Sequence, residues 1–85
     1  MKFMLAWTIE PSRYDEVTKR FVEGKEKIPK GLKLAGRWHA ASYGWALVEA
    51  DELPTVYKFT RQWQSMIDFV VTPVMDDAET AAILK

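Results

Sequence analysis

The chain has no cysteine and only one histidine in 85 residues. Without thiols there is no disulfide and no thiolate metal site, and a lone His39 excludes any multi-histidine ligand set. Net charge is missing too: twelve Lys and Arg balance twelve Asp and Glu. No basic cluster is dense enough to follow a phosphate backbone, so nucleic acid is not an expected partner. Long apolar runs are absent as well. Lys2 opens an apolar stretch that could imitate an export signal, but it ends at Ile9 and meets Glu10-Pro11 with no small-residue cleavage pattern. Neither a signal peptide nor a membrane span is expected, and the default compartment is the cytoplasm. No glycine-rich phosphate loop, nucleophile elbow or metal-binding spacing occurs.

What is present reads as one domain over residues 1–85, near the lower size limit for a self-sufficient core. Domains below roughly 80 residues often recruit disulfides, metals or a second subunit. With no cysteine here, a second subunit is the remaining route. The stretch Lys2 to Ile9 is a strand with no wet face: Phe3, Leu5, Trp7 and Ile9 point one way, Met4 and Ala6 the other. Such a strand needs cover on both sides.

Glu10-Pro11-Ser12 breaks that strand and starts a helix, with proline tolerated in the first turn and Asp15 and Glu16 favourable near its positive end. Tyr14, Val17, Phe21 and Val22 recur at helical spacing, leaving Arg13, Glu16, Lys19, Arg20 and Glu23 to solvent. Gly24 is the expected stop, and Lys25 to Gly31 reads as a solvated connection. Leu32 to Ala41 alternates as a second strand, with Leu34, Gly36, Trp38 and Ala40 on one face and Lys33, Ala35, Arg37 and His39 on the other. Ser42-Tyr43-Gly44 then turns the chain into a third strand, Trp45 to Ala50. Leu53, Val56, Tyr57, Thr60, Trp63 and Ile67 form a second helical stripe started near Asp51 and Pro54. Phe69 to Met75 reads as a fourth strand whose Pro73 belongs at an edge or a bulge. Asp76-Asp77 is expected to cap a short helix from Ala78 to Leu84. Glu49, Asp51 and Glu52 are read as capping and helix-dipole residues rather than a cation site.

The order strand, helix, strand, strand, helix, strand predicts an α+β, ferredoxin-like βαββαβ sandwich: a four-stranded antiparallel sheet with two helices on one face, plus a short C-terminal helix. The other face would be bare and apolar in a monomer, an aggregation hazard. Sheet-to-sheet pairing with a second copy removes it, so a homodimer is expected.

Several segments carry a resemblance. Met1-Lys2-Phe3-Met4 with Trp7-Thr8-Ile9, Gly36-Arg37-Trp38-His39, Leu47-Val48-Glu49-Ala50-Asp51, Trp63, and the run from Asp68 to Asp77 resemble a small family, domain of unknown function 3303, over nearly the whole chain. That family is grouped with the dimeric α/β-barrel superfamily, so the resemblance implies the same sandwich and the same dimer, and it implies no reaction. Haem-degrading members of the superfamily use Asn, Trp and a helical His. This chain has no asparagine and its second helix has no histidine, which disfavours that chemistry. Cofactor-independent monooxygenases of similar fold place polar side chains around an aromatic-lined cavity. Trp7, Trp38, Trp45, Trp63, Tyr57 and Phe59 are available to line such a cavity, or simply to fill it.

The candidate catalytic pair is His39 and Arg37. His39 is the side chain whose ordinary titration falls nearest neutrality. On an alternating strand the two share a face about 7 Å apart, close enough to hold one carboxylate together. A general base would need an orienting partner, for which Asp68 and Glu49 are the candidates. The plainer alternative is a structural His39 near the hairpin or a dimer interface. The expected ligand pocket comprises Trp7, Thr8, Trp38, Trp45, Tyr57 and Trp63, with no metal and no cofactor. Three functions stay open: a module binding a small apolar or aromatic molecule, a cofactor-independent monooxygenase or isomerase using His39 and Arg37, and a purely structural interaction domain.

Overall fold

A computed structural model describes all 85 residues of the chain. Four strands, β1 (Lys2–Ile9), β2 (Lys33–Ala40), β3 (Tyr43–Glu49) and β4 (Ile67–Val74), form one antiparallel sheet in the order β2-β3-β1-β4. Helices α1 (Tyr14–Val22) and α2 (Leu53–Thr60) supply the two crossovers, and α3 (Asp77–Leu84) follows β4. This is the ferredoxin-like α+β sandwich expected from the pattern.

The two-faced first strand is central, hydrogen-bonded to β3 on one side and β4 on the other. Its Phe3, Leu5 and Ile9 are buried beneath the helices, while Met4, Ala6 and Thr8 face away from them. The core has two parts. Phe3, Leu5, Ala46 and Val48 pack under Val56 and Phe59 of α2, and Ile9 and Ile67 pack with Val17 of α1, Trp63 and Met66. Each fully buried large side chain contributes about 1.5–3 kcal/mol. Trp7 and Phe69 touch both parts.

Several local expectations shift. Residues Pro11–Arg13 form a short 3-10 turn before α1, and Gly24, at φ 67°, ends that helix in the left-handed conformation glycine tolerates. Val22 is exposed, whereas Arg20, read as solvated, lays its guanidinium 5.4 Å from the centre of the Trp63 ring with its Nε buried and unpaired. The hairpin turn is Ala41-Ser42, with Ala41 at φ 54°, so Tyr43 and Gly44 already belong to β3. In α2 the buried residues are Val56, Phe59 and Thr60, while Leu53 and Tyr57 are exposed. Ile67 opens β4 rather than closing a helix, because α2 ends at Thr60 and turns follow. Pro73 lies on β4, an edge strand, where its missing N–H costs little.

Most consequential is a bulge in β2. Leu34 pairs with Val48 and Gly36 with Leu47, so Ala35 is an extra residue that reverses the alternation beyond it. Leu34 therefore shares the helix-side face with Arg37 and His39, while Gly36, Trp38 and Ala40 lie on the open face. The expected grouping of Leu34 with Trp38 is thus corrected.

Helix α3 buries no residue. A capping box holds its start: Asp76 accepts from the Glu79 N–H at 2.8 Å, and Glu79 accepts from the Asp76 N–H. Lys2 ties this cap to β1, at 3.0 Å from Glu79 and 3.3 Å from Asp76. The Glu79 amide, then Lys2, hold the Asp76 carboxyl below its usual range, and Glu79 with Asp76 raises Lys2. At the start of α2, by contrast, Glu52 makes no side-chain cap, and Glu49 instead faces Lys2 and Lys33 at 3.9 and 3.7 Å.

Candidate functional site

One row of residues crosses the helix-side face of the sheet. His39 on β2 opposes Gly44 on β3, Gly44 opposes Trp7 on β1, and Trp7 opposes Phe69 on β4. Gly44 is what lets the row close. A Cβ there would stand 2.1–2.5 Å from the Trp7 indole, so a side chain at 44 would push the ring off the sheet. With glycine, Trp7 lies over β3 and reaches His39, ring centres 6.0 Å apart and edge-on, and it meets Phe69 at 6.0 Å on its other side.

Above this floor is a cavity of about 270 Å³. Tyr14, Val17, Thr18 and Phe21 of α1 form its roof, and Trp63 with Phe59 closes one end. The Phe21 ring stands 5.1 Å from the His39 ring and 5.0 Å from the Arg37 guanidinium carbon, a cation-π distance. Phe21 therefore stands against both polar residues of β2, and since Phe21 is 41% exposed and His39 is exposed too, the mouth lies at their edge.

The polar end is built around Glu26. Its side chain, 10% exposed, accepts from Arg37 Nη1 at 2.8 Å on both oxygens and from the Trp63 indole N–H at 2.9 Å. The loop carrying Glu26 is pinned by Gln62, whose amide accepts from the Lys27 N–H at 2.9 Å and donates to the Lys27 carbonyl at 2.7 Å. The segment read as a solvated connection thus contributes a buried carboxylate. No local spacing signals it, because its partners lie 11 and 37 residues away. Phe21, Phe69 and Tyr14 are further lining residues that sequence reasoning left among core positions.

A family model described as a domain of unknown function, DUF3303, matches residues 1–85. The chain belongs to the DUF3303 family. No curated protein and no solved structure matches it.

Among the residues singled out in this DUF3303 chain, Trp7, Arg37, His39, Phe59 and Trp63 line this cavity. The other expected pocket members do not. Thr8 points to the open face, opposite Asp68 and Tyr43. Trp38 and Trp45 pair with each other on that same face, the bulge having carried Trp38 there, and are 56% and 43% exposed. Tyr57 lies in a separate groove along α2 with Leu53 and Val71. The proposed proton partners of His39 also fall elsewhere: Asp68 and Glu49 are both on the open face. His39 makes no side-chain hydrogen bond, so nothing fixes its tautomer as a general base requires. No group of three or more His, Asp or Glu side chains is arranged to hold a metal ion, and no helix is long and apolar enough to cross a membrane.

Proposed function

We propose that this DUF3303 protein is a homodimeric binding module with one site per subunit for a small apolar or aromatic molecule, held between the sheet and α1. The cavity on the Trp7 row carries this reading. A dry cavity of about 150 Å³ already accepts benzene, so 270 Å³ gives room for one to two fused rings. Eleven of its fifteen lining residues are hydrophobic, with a few polar groups at one end, the composition of a small-molecule site. A purely structural interaction domain has no need of such a space.

The dimer is supported by the opposite face. Trp38, Tyr43, Trp45 and Val70 are each more than 40% exposed, and Met4, Ala6 and Leu47 lie among them on the sheet. A second copy of the same face covers them without blocking the cavity, which opens on the other side. The neutral probe 1-naphthalenemethanol, titrated into ¹⁵N-labelled protein, tests the site. Amides of Trp7, His39 and Phe69 should shift, those of Trp38 and Trp45 should not, and Thr18→Trp, which fills the cavity, should abolish the response. Shifts confined to the open face, or none, would sink the reading.

A further inference from the structure

We infer that the ligand of this site is a planar aromatic carboxylate, its acid group held by the unoccupied edge of Arg37 together with His39. This rests on the binding reading above and names the chemistry of the occupant. The argument is a census of hydrogen-bonding groups around the cavity. Glu26 is the only anionic group of the lining, and both its oxygens are taken, by Arg37 and by Trp63. The Thr18 hydroxyl donates to the Asp15 carbonyl at 3.1 Å. Donors, in contrast, remain free.

Arg37 gives only Nη1 to Glu26. Its Nε and Nη2, the lateral fork of the guanidinium, meet no protein acceptor, and neither is sealed from solvent. That fork matches the two oxygens of a carboxylate in plane and spacing. His39, two residues along the same face, has no side-chain hydrogen bond and offers a further N–H. Tyr14 adds an unpaired hydroxyl. A cationic ligand would stand beside the Arg37 guanidinium and find no free carboxylate, because the one acid of the lining is already engaged by Arg37 and Trp63. A dianionic phosphate is also poorly served, because one free guanidinium edge lies beside the Glu26 charge. A single negative charge on a flat ring fits both the fork and the aromatic floor formed by Trp7 and Phe69.

The arrangement of Glu26 explains why the fork stays available. Pinned by Gln62 through Lys27 and bonded to Trp63, Glu26 orients Arg37 from one end without occupying its side. Glu26 is therefore a positioning residue for the group that contacts the ligand.

The experiment compares 1-naphthoate, 1-naphthamide and 1-naphthalenemethanol by calorimetry on the wild type and on Arg37→Lys, which keeps the charge and loses the fork. Naphthoate should bind at least ~10-fold more tightly than either neutral probe, and in Arg37→Lys the preference should fall below ~3-fold while amide binding is retained. Equal affinity of all three on the wild type overturns the acid inference and leaves the pocket reading standing. Failure of all three to bind overturns both. Should Arg37→Lys not fold, the Arg37 Nε resonance of the wild type decides: it should move with naphthoate and not with the amide, and an unmoved resonance at saturation refutes the pairing.

Discussion

Glu26→Ala removes three hydrogen bonds of 2.8–2.9 Å at once, and its cost can be worked from the surroundings of each partner. Breaking a fully buried ion pair by deleting one member costs about 3–5 kcal/mol. Arg37 retains 21% side-chain exposure, so it recovers part of its hydration, and the charge contribution falls to about 2 kcal/mol. The Trp63 indole belongs to a residue only 4% exposed, and leaving its N–H unpaired adds about 1 kcal/mol. The sum, about 3 kcal/mol, is a large share of the 5–15 kcal/mol by which small domains are stable. At about 4–8 °C per kcal/mol it lowers Tm by roughly 12–24 °C. Glu26→Gln keeps a neutral acceptor for one partner, so its loss should be about 1–1.5 kcal/mol. Urea unfolding at fixed protomer concentration measures both. A double-mutant cycle with Arg37→Met should return a coupling of about 1–2 kcal/mol. If Glu26→Ala costs less than about 1 kcal/mol, or if Gln and Ala are equivalent, the loop is not closed by this carboxylate and the construction of the polar end is wrong.

Gly44→Ala should destabilise by about 1–3 kcal/mol through overpacking against Trp7 and should shift the His39 ring-proton resonances; wild-type stability and spectra would contradict the close approach of the indole. Trp45→Lys places a charge in the centre of the open face, and at micromolar concentration light scattering should report a dimer for the wild type and a monomer for the variant. An unchanged dimer would place the interface elsewhere. The cap of α3 should depend on pH in two windows. The folded pKa of Asp76 is depressed, so its contribution is present above its ordinary value near 3.8 and is lost as pH falls through the folded one; that of Lys2 is raised, so its contribution is complete below 10.5 and is lost as pH rises through the folded value. Protection of the Glu79 amide from hydrogen exchange should therefore drop at both extremes, and a flat profile would exclude the Lys2 tie.

Alternation made the sheet legible. Phe3, Leu5 and Ile9 against Met4 and Ala6 announce a strand buried on one side and apolar on the other, and β1 is central for that reason. Helical periodicity also found α1 and α2, since Val17 and Val56 recur within recognisable stripes. Element ends were less legible. At the end of α2 the stripe runs through Trp63 to Ile67, because turns following a helix keep similar residues inward, and only pairing with Ile9 shows that Ile67 is a strand residue. Only part of the pocket could be read, Trp7, Phe59 and Trp63 with Arg37 and His39, because large rings and a strand-face pair are visible in one dimension. Glu26 could not. A carboxylate amid lysines and turn residues looks solvated, and only a fold that brings Arg37 and Trp63 beside it turns the same residue into a buried acceptor.

The assignment of faces in β2 turns on one residue. If the strand alternated without interruption from Leu34, which packs against the core, then Gly36, Trp38 and Ala40 would lie under the helices and Arg37 and His39 on the open face. The cavity would then be lined by a tryptophan and carry no donor from this strand, while an arginine and a histidine would stand in the middle of the apolar face opposite Trp45 and Tyr43. The bulge at Ala35 exchanges the two sets. It sends Trp38 to meet Trp45 where a second copy would cover both, and it brings Arg37 and His39 to the floor where Trp7, Gly44 and Phe69 are aligned. A bulge commonly re-aims side chains near a functional site. Here one extra residue separates the face proposed for assembly from the face proposed for binding on the same strand, so deleting Ala35 should damage both together: loss of the dimer by light scattering and loss of probe binding at Trp7 in a chain that still forms the sheet. Retention of either property after that deletion would show that the two faces are not divided by the bulge.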